Sequence, residues 1–274
     1  MYNTNQYNTL QYNAWILGVS GVVSWDITYG SYILHKTDNI SLNFADINNG
    51  SSVEANTYNK PEIDGKGLNS YFLRAKTVTL NGLLKASSKQ ELESMMNTML
   101  GQLAEPNKTL QVLNAGSYYR ATAYCTNLGQ IFKREHFHNT FVPFSVVFEV
   151  VSPFWESAIL NSITYTVTAP LAEEIVNTGS AKANPIITLS FTSATSVTEI
   201  EFVFWIFTLT ITQAIATSDI IRVNSETKEV LLNGTAIDYT GRIPIFELGS
   251  NTFTITPNGT YNADISISYR DKFI

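Results

Sequence analysis

Two histidines separated by one residue, in Glu135-His136-Phe137-His138, form the sharpest chemical pattern in this chain. On a strand such residues share a face, so the two imidazoles could hold zinc or meet a neighbour across an interface. No third ligand is identifiable, and the pattern reads as a solvated loop or an interface pair. Glu173-Glu174 has the composition of an acid pair, but adjacent strand residues point to opposite faces, which removes glycosidase geometry. Gly65-Lys66-Gly67 lacks the second glycine pair and the following helix of a phosphate loop. Asp46-x-Asn48-x-Gly50 misses the glycine and closing Glu positions of an EF-hand. Gly18-Val19-Ser20-Gly21 is not the G-x-S-x-G of a nucleophile elbow. The sequons Asn233-Gly234-Thr235 and Asn258-Gly259-Thr260 acquire meaning only on a secretory route. No catalytic set, metal site or cofactor is expected, and the chain reads as a non-enzyme.

Aromatic side chains offer a different chemistry. In the apolar run 202–207, Trp205 and Phe207 are expected on one strand face, with Phe202 and Phe204 on the other. Most of them should be core. An exposed Trp205 would instead be a platform for a sugar ring, which keeps a carbohydrate-binding or adhesin-like module as the alternative function.

Composition narrows the field further. A length of 274 residues favours two domains over one. Charged residues make up 15%, against about 25% in typical globular chains. Ser, Thr, Asn and aromatics fill the gap, as in an all-β protein with many short strands. Charge depletion also suits a surface partly covered by neighbouring subunits. The net charge of −6 argues against gripping nucleic acid by its phosphates. A single Cys125 excludes an internal disulfide framework and a cysteine-rich zinc site. The opening residues show no basic stretch followed by an apolar run, and no segment has the roughly 20 apolar residues of a membrane helix. The expectation is a soluble protein made in a cytosol.

The elements that would position any site are mostly strands. One helix stands out at 88–104: Ser88 is a natural N-cap, and Glu91 three residues on can complete a capping box. Leu92, Met95, Met96, Met99 and Leu103 form its apolar stripe, and Pro106 ends it. Before the helix, Val23, Trp25, Ile27 and Tyr29 alternate as a strand, and so do Ile40, Leu42 and Phe44. A polar stretch at 45–70 reads as an extended loop or a long, irregular hairpin arm. Asn81-Gly82 suggests a turn or bulge. Phe144, Val146, Phe148 and Val150 close the first part with strict alternation. After residue 155 no helical period appears, and a β-sandwich of about seven to nine strands is expected. Within it, 202–211 reads as one buried central strand, and Asn233-Gly234 as a type I′ turn. Residues 1–13 carry a Tyr-Asn repeat of period five, which reads as an arm anchored by tyrosines or as a frayed terminus.

The order of these elements resembles one family. Residues 74–87 (RAKTVTLNGLLKAS), the helix after them, residues 108–124 (KTLQVLNAGSYYRATAY) and residues 141–155 (FVPFSVVFEVVSPFW) are similar to the distal tail protein of siphovirus-like bacteriophages. NTGSAKANPIITLSF, DIIRVNSETKEVLLNG and IPIFELGSNTFTI in the second half are similar to the galectin-like sandwich of that family. The resemblance implies a tail-tube-like β-sandwich with one packed helix at 1–157, then a galectin-like or jelly-roll sandwich at 158–274. It implies a homohexameric ring at the distal end of the virion tail, with a channel through which DNA passes. The ring would join the tail tube protein to the tail-tip hub and to receptor-binding or other baseplate proteins, without membrane insertion. Under this reading Asn48, Tyr58, Leu92, Met95, Met96, Met99 and Phe144 are candidates for contacts between subunits.

Overall fold

The computed structural model describes residues 26–34, 39–47, 52–59, 64, 66–114, 116–132 and 139–274. The Tyr-Asn repeat, the 18–21 run, Val23, Trp25, Asn48 and the 135–138 histidine pattern lie outside the described residues. Contacts divide the chain into two units, one of Met1–Asn49, Thr77–Gly116 and Thr122–Val150, the other of Gly50–Lys76, Ser117–Ala121 and Val151–Ile274.

In the first unit one sheet runs in the order Tyr32–Ile33, Ile27–Tyr29, Lys108–Asn114, Ser117–Cys125, Phe141–Val150, Lys76–Lys85, Ile40–Asp46. Phe141–Val150 shows why it forms here: Val142, Phe144, Val146, Phe148 and Val150 are all buried on one face, the period of a strand. The helix is Lys89–Ala104, N-capped by Ser88, whose hydroxyl accepts from the Glu91 N–H at 3.2 Å. The Glu91 carboxylate reaches one residue beyond the expected box and accepts the Ser87 N–H at 2.7 Å. Bonds from Ser87 hold that carboxyl below its ordinary range. Leu92, Met99 and Leu103 bury the helix's inner stripe.

Tyr29 ties the unit together. Its ring lies 4.9 Å from that of Phe148, and its hydroxyl donates to the carbonyls of Glu105 at 2.6 Å and Ala123 at 3.1 Å. Burial pushes this phenol's pKa up. Asn81-Gly82 is neither turn nor bulge but mid-strand. The Phe144 ring lies where a Gly82 side chain would be, 2.5 Å from a Cβ built there, so only glycine fits. The bulge falls on the opposing strand, between Leu42 and Phe44.

The second unit contains a six-stranded and a five-stranded sheet facing one core, more strands than the seven to nine expected. The additional ones include Thr235–Ala236 and Thr240–Gly241, too short to show a period. The larger correction concerns 202–211. It is not one strand but a hairpin, Val197–Phe204 turning into Phe207–Ile215. The turn is Trp205-Ile206, with Trp205 at φ 52. Asn233 and Gly234 both have positive φ, 51 and 83, as the expected type I′ turn requires.

The NTGSAK segment of 177–182 is a corner built around side-chain bonds. The Asn177 amide donates to the Ala181 carbonyl at 2.9 Å and its oxygen accepts from the Gly179 N–H at 3.0 Å. Gly179 is required because the backbone of Lys272 passes 2.3 Å from where its Cβ would be. The buried Lys272 is paired with Glu226 at 3.0 Å.

Candidate assembly interface

Of the stretch 45–70, ambiguous in the sequence, Ala45 and Asp46 end the strand Ile40–Asp46, and the described residues beyond them form a hairpin arm in which Val53–Asn59 pairs with Lys66–Leu73. Among the described residues these two strands pair with each other and with no other strand. Every residue of Val53–Asn59 is exposed. In an antiparallel pair, residues directly opposite share a face. Val53 faces Leu73, Ala55 faces Tyr71 and Thr57 faces Leu68, so one face is an almost unbroken apolar strip. Leu68 and Phe72 are 60% and 61% exposed, and Val53, Tyr58 and Tyr71 are about half exposed.

Two features shape the arm. At its root the Arg74 N–H donates to the Ser52 carbonyl at 2.8 Å, and the Arg74 guanidinium meets Glu54 at 2.6 Å. Both ends of that ion pair are solvated, which limits it to about 1 kcal/mol or less. Toward the tip the Tyr58 ring lies over Gly67, 2.2 Å from a Cβ built there. Gly67, rejected above as part of a phosphate loop, is what lets that ring lie flat across the pair.

The other sequence-derived contact candidates divide. Leu92 and Met99 have no exposed surface and Phe144 only 3%, so these three are core of the first unit and offer nothing to another copy. Their contacts are spent within the unit: Phe144 on Gly82, Leu92 and Met99 on the helix's inner stripe. Met95 and Met96 are half-buried and still present part of their surface. Tyr58 is exposed on the arm. The sequence pointed at the arm by length alone and missed Val53, Leu68, Tyr71 and Phe72. Val53, Leu68 and Tyr71 share one face and Phe72 lies on the other; the pattern was hidden by a bulge at Asn69, left unpaired between Ser70 opposite Asn56 and Leu68 opposite Thr57.

Trp205 is not core. It is 64% exposed and Ile206 71% exposed, while Phe202 and Phe204 point inward and Phe207 is half-buried with them. The Phe207 ring is capped by the Arg242 guanidinium 4.4 Å from its centroid. Glu173 and Glu174 do sit on opposite faces: Glu173 bonds Tyr165, and Glu174 accepts from the Ser250 hydroxyl. No group of three metal-type side chains occurs among the described residues. No helix among them is long and apolar enough to cross a membrane.

Comparison with known proteins gives this architecture its class. Residues 178–273 match the family model of the siphovirus-type tail component, C-terminal domain. Over the whole chain the fold is similar to the crystal structure of the Dit protein of phage SPP1, described as a hub of the adsorption apparatus in phages infecting Gram-positive hosts. That similarity covers 91% of this chain and 99% of that one, at a TM-score of 0.66 and 16% identity. Two structures of the activated phage P2 baseplate, with Ca and with Sr, are more distant: 9% and 10% identity, TM-scores of 0.46 and 0.47, covering 89% and 90% of this chain and 97% and 98% of theirs. No curated protein matches at a significant level. Residues 178–273 thus carry a siphovirus-type tail component domain. More narrowly, the chain has a Dit-like fold.

Proposed function

We infer that this chain closes a homohexameric ring at the end of the tail tube, in which the arm of each copy lies against the next. The observation that carries the reading is the arm itself. A two-stranded hairpin is marginal in water, because it has no third layer to bury an apolar face. Here one face is an apolar strip, and neither strand pairs with any other strand among the described residues. A neighbouring copy supplies the missing surface, and Tyr58, Met95 and Met96 are further contact candidates. A head-to-tail contact of this kind repeats around an axis and closes a ring when its rotation divides a full turn.

In this reading residues 1–157 form the ring and stack on the tail tube protein. Residues 158–274 form a galectin-like domain presented to hub and receptor-binding proteins. DNA passes through the central channel, and the chain's net charge of −6 keeps phosphates from adhering to it. The role is structural, without an enzymatic step. The experiment is light scattering on the purified chain, followed by negative-stain imaging of the same peak. The expected species has about six times the chain mass of 30.5 kDa and a central hole. A monomer that stays monomeric when offered purified tail tubes contradicts the reading.

A further inference from the structure

The outer strands of an open sheet carry unpaired backbone groups that invite another strand, and proteins keep such edges short, charged or kinked. The three large sheets here follow that practice with one exception. Tyr32–Ile33, Thr235–Ala236 and Thr240–Gly241 are outer strands of only two residues. Ile40–Asp46 is kinked by its bulge and ends on a carboxylate, and Leu171–Asn177 carries Glu173 and Glu174. Asn161–Val167, the outer strand of the six-stranded sheet, has none of these devices. Its seven residues, NSITYTV, hold no charge, no proline and no glycine, and they pair with Thr260–Tyr269 in unbroken register. Among the described residues no strand pairs with its other side.

This edge is held in place from behind. Ile163, Tyr165 and Val167 pack on the core, and Thr166 donates to Asp264 of the neighbouring strand at 2.6 Å. In an antiparallel pair alternate residues turn both backbone groups away from the partner, so about half of the seven present an N–H and a C=O outward. A template ordered in advance spares an incoming strand part of the entropic cost of binding. Immediately before the strand, Ile159 and Leu160 are 74% and 49% exposed. They stand on a pinned corner. The Ala158 N–H donates to the Tyr118 carbonyl at 2.9 Å, the Ile159 N–H to the Ser157 hydroxyl at 3.1 Å, and Arg270 to the Ser157 carbonyl at 2.9 Å. A second copy of the chain fits the ladder but not the corner. Two copies of NSITYTV paired antiparallel about Thr164 set Leu160 against Thr168 and Ile159 against Ala169, which leaves both apolar side chains largely uncovered.

We propose that an extended, uncharged segment of another protein completes this edge, adding antiparallel to Asn161–Val167 as a further strand of the sheet. Its β-branched or aromatic side chains pair with Ile163, Tyr165 and Val167 at the rim of the core, and short hydroxyl side chains between them meet Ser162, Thr164 and Thr166. A large apolar residue at the C-terminal end of the segment covers Ile159 and Leu160. The inference rests on the reading that residues 158–274 are presented to partner proteins at the tail tip, and names the surface that receives one. The test is hydrogen exchange followed by mass spectrometry, on the purified full chain and on tails purified from the virion. Amides of 161–167 should exchange at least about tenfold more slowly in tails, while those of Leu171–Asn177 stay the same. Tails carrying Ser162→Lys with Thr164→Lys should lose that protection, because charge on an edge repels a neutral strand. Both positions are exposed, so the melting temperature of the variant chain should not move. Tails that contain the chain without added protection of 161–167 overturn the proposal and leave the tail-tip reading standing. Protection that survives the double variant overturns it too, as does equal protection when the purified chain assembles alone, the mark of a second copy. Tails that lack the chain overturn the tail-tip reading and this inference with it.

Discussion

Two hairpins in this molecule share a local design and differ in everything that stabilises them. The hairpin of Val197–Phe204 and Phe207–Ile215 sits inside a five-stranded sheet, and Ile200, Phe202, Phe204, Leu209 and Ile211 of its inner face are buried. The arm of Val53–Asn59 and Lys66–Leu73 has a comparable ladder and a comparable apolar face, yet that face lies in water. A backbone ladder adds little net stability, since its hydrogen bonds replace bonds to water. Apolar burial provides the rest, at roughly 25 cal/mol per Å². The first hairpin owns its core, and the second has none among the described residues.

The contrast makes opposite predictions for similar substitutions. Phe202→Ala removes a fully buried ring and leaves a cavity, at a cost of about 3–5 kcal/mol. Denaturant unfolding of the second unit should show it directly. Leu68→Ser with Tyr71→Ser, on the arm, should move the monomer's stability by no more than about 0.5 kcal/mol, because both side chains are solvated there. The same double variant should lose the assembled species in light scattering. Equal destabilisation by both changes would erase the distinction.

Lys76 sharpens the comparison at the arm's root. It is buried, with its ammonium 5.2 Å above the Trp155 ring, and burial pushes its pKa down to about 8. The unfolded chain holds this proton up to its ordinary value of 10.5, so between about 8 and 10.5 the unfolded state binds more protons. Stability should therefore rise with pH through that window. Lys76→Met should stabilise by about 1–2 kcal/mol at pH 7, an advantage that shrinks above pH 8, as the ring offsets part of the desolvation. Melting curves of both forms from pH 7 to 10 check the sign. A smaller effect is expected for Gly67→Ala, whose Cβ displaces the Tyr58 ring and costs about 1 kcal/mol or less of arm order. Loss of the Tyr58 fluorescence environment, with the fold retained, would report it. Smallest of all, Trp205→Gly removes a positive φ from a bulky residue and should leave the unfolding free energy level or raised by no more than about 1 kcal/mol, read from melting curves. A large loss would return Trp205 to the core.

Much of this was readable from residue types. The helix was legible because Ser88, Glu91 and the Leu-Met stripe agree at every level, and Asn233-Gly234 because its chemistry admits few other turns. The hairpin at Trp205-Ile206 was not, because a turn made of Trp and Ile carries none of the usual Gly, Asn or Pro signals. Its apolar residues then ran together into one apparent strand. Burial inside the first unit was equally hidden for Leu92, Met99 and Phe144. An apolar stripe says that a face is covered, and only the fold says by what. The arm's apolar strip was concealed by a one-residue bulge, and the open edge at 161–167 by the sheet order, which alone shows which strands lie outermost.

The most direct measurement is hydrogen exchange of the arm's amides, 53–59 and 66–73, in the monomer and in the assembled ring. The account predicts rapid exchange in the monomer and protection at least about a hundredfold greater in the ring, a gain near 2.7 kcal/mol in local opening free energy. Amides of Val197–Phe204 should exchange slowly in both. Equal protection of the arm in monomer and ring would show that it needs no neighbour, and would contradict the central claim.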